Sequence, residues 1–323
     1  MEKSYRRARC IALVGLALML FTGAYYQREE SISPRELLST FGDARIYIGA
    51  TDFSDALQLR FSREELFKGN LLYVSASSPL PEHMPVQQAH NVRKMVGLYV
   101  PAAQDVSLSE ETIYALCDLC AENPLVRTWI ISGVRAPSEQ YALQDATFEN
   151  YRKLMSTAEA LSAARRDVPD SGKSEHQLAT SFDVTFTGEL DWSYADALDR
   201  SKDGRWLREN AWRFGFIRRY PPGKAQVTGV ANETLHFRYV SYAHALVMQS
   251  TLWCLEEYLQ ALKTYGALTI EQGEAITYIL CRAMDENGAV FPVPEGFTCQ
   301  VSADNLGYAV CVLQRAQSAI AER

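Results

Sequence analysis

Two short stretches, Ser181-Phe182-Asp183-Val184-Thr185-Phe186 and Leu235-His236-Phe237-Arg238-Tyr239-Val240, alternate between polar and apolar side chains. A β-strand turns successive residues to opposite faces, so a period of two commits each stretch to a strand with one apolar side. The other side of the first carries Ser181, Asp183 and Thr185, and that of the second carries His236 and Arg238. Two such strands in one sheet would present Asp183 and His236 to a common point.

A third polar cluster, Ser174-Glu175-His176-Gln177, precedes the first strand and follows a chain break at Pro169-Asp170-Ser171-Gly172. Imidazole nitrogen and carboxylate oxygen are the donors that zinc favours, and a catalytic zinc site uses three of them plus an open water position. His176, Asp183 and His236 supply those three. Glu233, three residues before the last ligand, is placed to accept a proton from the bound water, whose pKa the metal lowers to roughly 7. Taken singly, each histidine reads as an ordinary half-buried residue; the chain has only five, and two fall inside these segments.

The rest of the chain divides around this centre. Lys3, Arg6, Arg7 and Arg9 precede an apolar run from Cys10 to about Tyr26, and Glu29 and Glu30 follow it. That run of about 17 residues is at the short limit for a membrane span. Its flanks predict a cytoplasmic N-terminus with the remainder exported, either anchored or released by a signal cleavage near Thr22-Gly23-Ala24. Residues 1–27 are thus a membrane anchor or signal peptide and 28–68 a stalk with a short helix near Pro34 to Phe41. Residues 69–250 form the main domain, 251–266 a helix, and 267–323 a small β-rich appendage with turns at Glu286-Asn287-Gly288 and Ala303-Asp304-Asn305.

Within the main domain Leu71 to Val74 and Val126 to Ser132 read as strands. Glu110 to Glu122 reads as a helix, and Ser138 to about Arg166 as a long one capped by Ser138. Thr269 to Gln272 reads as a short helix or turn. The expected fold is α+β: an antiparallel sheet with flanking helices carrying one zinc site. A net charge of −7 argues against a nucleic-acid partner. Cys117-Asp118-Leu119-Cys120 lacks the second CxxC of a zinc ribbon and, lying in a helix, reads as two small core residues.

With these residues in hand, the chain resembles the VanY-type D-alanyl-D-alanine carboxypeptidases. That family belongs to a wider zinc group with VanX-like dipeptidases, lysostaphin-type endopeptidases and the hedgehog amino-terminal domain. The likeness spans about residues 69 to 250 and rests on blocks in the family's order. These are Gly69-Asn70-Leu71-Leu72 with Pro79-Leu80-Pro81, Ser132-Gly133-Val134-Arg135 followed by Gln140, and Ser174-Glu175-His176-Gln177 leading to Asp183. Trp206-Leu207, Asn210-Ala211, Gly215-Phe216-Ile217-Arg218-Arg219-Tyr220-Pro221, Gly223-Lys224, Thr228-Gly229, and Glu233 ahead of His236-Phe237-Arg238-Tyr239-Val240 complete them.

The resemblance implies zinc on His176, Asp183 and His236, with Glu233 as general base and then acid. It implies Arg135 facing the terminal carboxylate or the developing oxyanion, and Ser174 and Gln140 beside the bound peptide. The substrate it implies is a peptidoglycan stem peptide ending in D-Ala-D-Ala. An L,D-carboxypeptidase or an endopeptidase with the same centre, or a wall-binding module that keeps zinc as a staple, are the competing readings; the oligomeric state stays open. Four positions depart from the family: Ala179 for a glycine, Ser181 for an alanine, and Thr234-Leu235 for Pro-Trp. If the glycine position needs a positive φ, Ala179 carries strain.

Overall fold

The computed structural model describes residues 36–82, 84, 88–125, 128–185, 200–230, 233 and 235–315. Both alternating stretches form strands over their described cores. Ser181–Thr185 and His236–Tyr239 pair antiparallel at the centre of a four-stranded sheet, flanked by Trp129–Ser132 and Phe216–Arg218. The apolar face of this sheet, with Phe182, Val184, Phe216 and Phe237, packs on Ile113 and Leu116 of the helix Glu110–Glu122. That helix begins where expected. Ser109 Oγ accepts the Thr112 amide, and Glu110 and Glu111 occupy the first turn, where exposed amides favour negative charge. Cys117 and Cys120 lie along it as half-buried and buried thiols, and burial pushes the Cys120 thiol up to about 12. The six described cysteines are all free.

A second, larger sheet has six strands in the order Glu36–Phe41, Ala44–Ile48, Ala267–Gln272, Ala275–Ala283, Tyr308–Arg315 and Phe297–Ala303, each antiparallel to its neighbours. Alternate residues bury opposite faces of it. Ile46, Leu268, Ile279, Val310 and Val312 meet Leu246, Leu255, Tyr258, Leu259 and Leu262 of the helices Tyr242–Thr251 and Leu255–Tyr265. Leu280, Ala309, Cys311 and Leu313 face the other way, onto Leu66, Phe67 and Phe291. Leu57–Phe61 pairs with Ala289–Val293 to cover that side.

Four local expectations are corrected here. Residues 36–41 are a strand, not a short helix, because they form a hairpin with Ala44–Ile48 that docks on the sheet edge. Thr269 to Gln272 lies in the strand Ala267–Gln272, whose Thr269 Oγ1 donates to the carbonyl of Gly49. Leu71 to Val74 is unpaired chain rather than a ladder strand; Leu71, Leu72 and Val74 are buried, and its backbone is held by single bonds such as Leu71 N to Ser302 Oγ. The long helix is two helices, Pro137–Arg152 and Thr157–Asp167. The first starts with Ala136 as its cap and Pro137 in the first turn; the second is capped by Ser156 in a reciprocal bond with Glu159.

The C-terminal strands are not a free-standing appendage, since the segment expected as a stalk pairs into the same sheet through Ala44–Ile48 and Ala267–Gln272. The apolar run Cys10 to Tyr26 lies outside the described residues. Among those described, no helix is long and apolar enough to cross a membrane.

Candidate metal centre

The register of the central strand pair sets Ser181 opposite Arg238, Phe182 opposite Phe237, and Asp183 opposite His236. Residues directly opposite on antiparallel strands share a face and sit close enough to interact. Phe182 and Phe237 stack in the core with ring centroids 6.0 Å apart, and on the reverse face His236 Nδ1 stands 2.9 Å from Asp183 Oδ1.

The third group arrives on a tight turn. Glu175–Leu178 is a single 3₁₀ turn whose first amides are capped by Ser174 Oγ, which accepts the His176 N–H at 3.4 Å. Ala179 ends it in the left-handed region at φ 57°, so the position where the family favours glycine does require a positive φ. The chain at Gly133 to Arg135 clamps this turn: Arg135 N–H donates to the His176 carbonyl at 2.9 Å, and His176 Nδ1 donates to the Gly133 carbonyl at 2.7 Å. A side chain at Gly133 would stand 2.4 Å from the Ser107 carbonyl oxygen, so the close approach needs glycine.

A carbonyl only accepts, so the proton of neutral His176 sits on Nδ1 and its Nε2 lone pair is free. That Nε2 lies 3.2 Å from Asp183 Oδ2. One donor atom from each of His176, Asp183 and His236 therefore falls within 4.8 Å of the others, and none of the three residues is more than 4% exposed. Two imidazole nitrogens and a carboxylate, converging on a buried point with the His176 tautomer fixed, fit zinc.

Electrostatics agree with a site built for positive charge. Burial disfavours a charged His236, but the Asp183 and Glu175 carboxylates outweigh it and push the imidazole up to about 10. Burial would likewise raise Asp183, yet the His176 and His236 rings hold it well below the usual carboxylate range. Glu233, half-buried, is raised by burial and by the Asp183 and Glu175 charges, against the pull of His236 and Arg135. Each of these charges is thus within electrostatic reach of the Glu233 carboxyl.

Arg135 borders the trio, its Nη2 3.8 Å from Asp183 Oδ2, with about a fifth of the side chain exposed. Its Nη1 donates to Gln140 Oε1 at 3.0 Å, and its buried Nε has no partner among the described residues. Gln140, expected beside the substrate, is instead fully buried and passes its Nε2–H to the Pro169 carbonyl at 2.7 Å. In this position it holds the guanidinium, and its side chain is enclosed by protein. Ser174, likewise expected near the peptide, is 4% exposed and serves as the cap of the histidine turn.

Sequence reasoning passed over a buried charge cluster behind the site. Glu175 Oε1 accepts from Arg219 Nε at 2.7 Å and from Arg238 Nη1 at 2.6 Å. Arg238 was visible as the alternation partner of His236, whereas nothing in the spacing singled out Arg219.

A sequence profile described as VanY, D-alanyl-D-alanine carboxypeptidase, matches residues 107–242, which contain all of these groups. A D-alanyl-D-alanine carboxypeptidase of Enterococcus faecalis is 32% identical over 201 residues, 60% of this chain and 67% of that protein. Another, from Enterococcus faecium, is 27% identical over 251 residues, 76% of this chain and 75% of its own. The crystal structure of the D,D-dipeptidase VanXYg, bound to a phosphinate analogue of D-Ala-D-Ala, superposes with a TM-score of 0.68 at 24% identity, covering 80% of this chain and 99% of the other. That likeness is one of fold.

Proposed function

This chain belongs to the VanY family of D-alanyl-D-alanine carboxypeptidases, which are zinc metallopeptidases, and from that premise we propose that it removes the terminal D-alanine from peptidoglycan stem peptides ending in D-Ala-D-Ala. The observation that carries the reading is the convergence of His176 Nε2, the Asp183 carboxylate and His236 Nδ1 on one buried point. These three residues would hold the metal. Bound there, zinc supplies a Lewis acid and a water acidified to roughly pKa 7.

The remaining work falls to side chains of the protein. Glu233 takes the proton of the attacking water and returns it to the departing amine of D-alanine. Its carboxyl, raised above the ordinary value by burial, is a stronger base than an exposed glutamate and a usable acid in the second step. Arg135, with its orientation fixed by Gln140 and about a fifth of its side chain exposed, offers its terminal guanidinium N–H donors to the substrate's terminal carboxylate. A free carboxylate gripped in this way directs the enzyme to chain ends, which favours carboxypeptidase over endopeptidase action. We place the reaction outside the cytoplasmic membrane on the strength of the basic and acidic flanks of the apolar run 10–26.

The test incubates the full chain with zinc and a muropeptide-type pentapeptide ending in D-Ala-D-Ala, following the products by mass spectrometry. Loss of a single alanine is expected, abolished by o-phenanthroline and reduced on the order of 10²- to 10⁴-fold by Glu233→Ala. Hydrolysis that survives Glu233→Ala would sink the assigned base. Cleavage only of tetrapeptides or of internal bonds would replace the D,D-carboxypeptidase reading with the L,D or endopeptidase one.

A further inference from the structure

Glu175 is not among the three converging ligands, yet it is 4% exposed and charged, with two buried guanidiniums on it. A buried carboxylate needs partners, and Arg219 Nε at 2.7 Å and Arg238 Nη1 at 2.6 Å supply them. Both arginines are themselves pinned. Arg238 Nη2 donates to the carbonyls of Asn70 at 2.9 Å and Leu72 at 2.6 Å. Arg219 reaches Glu256, in the first turn of the helix Leu255–Tyr265, through two parallel bonds of 3.0 and 2.7 Å. A bidentate pair of this kind fixes direction as well as charge.

The division of labour between the two Glu175 oxygens is the informative point. Both arginine bonds fall on Oε1, while Oε2 stands 3.4 Å from His236 Nε2. A carboxylate present only to neutralise the arginines would have no reason to keep one oxygen for the imidazole. The ring of His236 lies between Tyr220, stacked at 5.5 Å, and the edge of His176 at 4.9 Å. Those contacts confine its plane but cannot choose between the two flipped placements of a ring that is nearly symmetric in shape. A hydrogen-bond acceptor on one edge can choose.

We propose that Glu175 is a positioning residue for the metal centre: its Oε2 accepts the Nε2–H of His236 and so turns the Nδ1 lone pair toward Asp183 and His176. This rests on the zinc-peptidase reading above. It also gives the arginine pair a purpose, since they hold the carboxylate in place from Asn70 and Leu72 on one side and from Glu256 on the other. Glu256 lies beyond the residues matched by the family profile.

Two measurements test the proposal, and neither reads activity. Zinc affinity, by competition with a chromophoric chelator, is expected to fall about 10- to 100-fold in Glu175→Ala, and by less in Glu175→Gln, which keeps an acceptor oxygen. Two-bond ¹H–¹⁵N correlation spectra of zinc-loaded, unsubstituted protein should show the His236 proton on Nε2. That spectrum decides the matter if the alanine variant does not fold. Wild-type affinity in Glu175→Ala, or a His236 proton on Nδ1, overturns the positioning role alone. Failure of the unsubstituted protein to bind zinc at all would instead overturn the reading on which it rests.

Discussion

Asp183 and His236, 53 residues apart in the chain, are direct register partners on neighbouring strands, and their side chains meet at 2.9 Å. Because the sheet itself holds them together, the two side chains are placed by backbone hydrogen bonds rather than by a loop. Asp183→Ala removes the one carboxylate among the described residues that touches both histidines. Zinc retained after dialysis, measured by elemental analysis, should drop from one equivalent to near none, with hydrolysis falling at least as far as in Glu233→Ala. A variant that keeps a full equivalent of zinc would exclude Asp183 as a ligand.

Arg135 is expected to act mainly on binding. A charge-assisted hydrogen bond contributes about 1.5–3 kcal/mol, so Arg135→Ala should raise KM by about 10- to 100-fold with kcat changed much less. A peptide with an amidated C-terminus should be poor for the native enzyme by a similar factor and no worse for the variant. Equal losses on both substrates would move Arg135 from the carboxylate to the oxyanion.

Ala179 holds a positive φ of 57° to end the histidine turn. An L-residue pays about 1–2 kcal/mol in this region, and glycine does not, although glycine loses more freedom on folding. Ala179→Gly should therefore stabilise the protein by up to about 1 kcal/mol, read as a higher urea midpoint with unchanged slope. A lower midpoint would mean that packing of the buried alanine methyl outweighs the strain.

His244, buried beneath Tyr258 with a 2.6 Å bond from Nδ1 to the phenol, is pushed by burial down to about 3. Its folded pKa lies below the unfolded value of about 6.5, so between these values the unfolded chain binds more protons and stability rises with pH. The contribution is complete above about pH 6.5 and is lost as pH falls toward 3, at up to about 1.4 kcal/mol per pH unit. Denaturant titrations from pH 4 to 7.5 should show this slope reduced in His244→Gln. Parallel slopes in the two proteins would exclude His244 as the titrating group.

Much of the site was legible because its signals are local. The period of two fixed which face Asp183, His236 and Arg238 occupy, and the capping pattern at Ser109 fixed the helix Glu110–Glu122. The hairpin of Phe297–Ala303 with Tyr308–Arg315 announced itself through the turn residues Asp304 and Asn305, whereas the turn at Asn287 and Gly288 joins strands of two different sheets. Each of these depends on neighbours within a few positions, so the chain carries it without reference to the whole.

What the sequence did not disclose were partnerships between distant segments. Ala44–Ile48 gives no sign that it will lie against Ala267–Gln272, and it reads as a stalk until that edge is present to satisfy its backbone. Gln140 looks like a substrate contact until both ends of its amide are seen bonded to Arg135 and Pro169. Glu175 looks like a spacer before a histidine until Arg219, Arg238 and His236 gather around it. The sequence by itself determined which donor side chains could serve a metal and, for Asp183 and His236, the strand face each occupies. The tertiary structure decided which buried charges answer one another. A desolvated charge is tolerable only with its partners in place, and those partners come from parts of the chain that no local pattern connects.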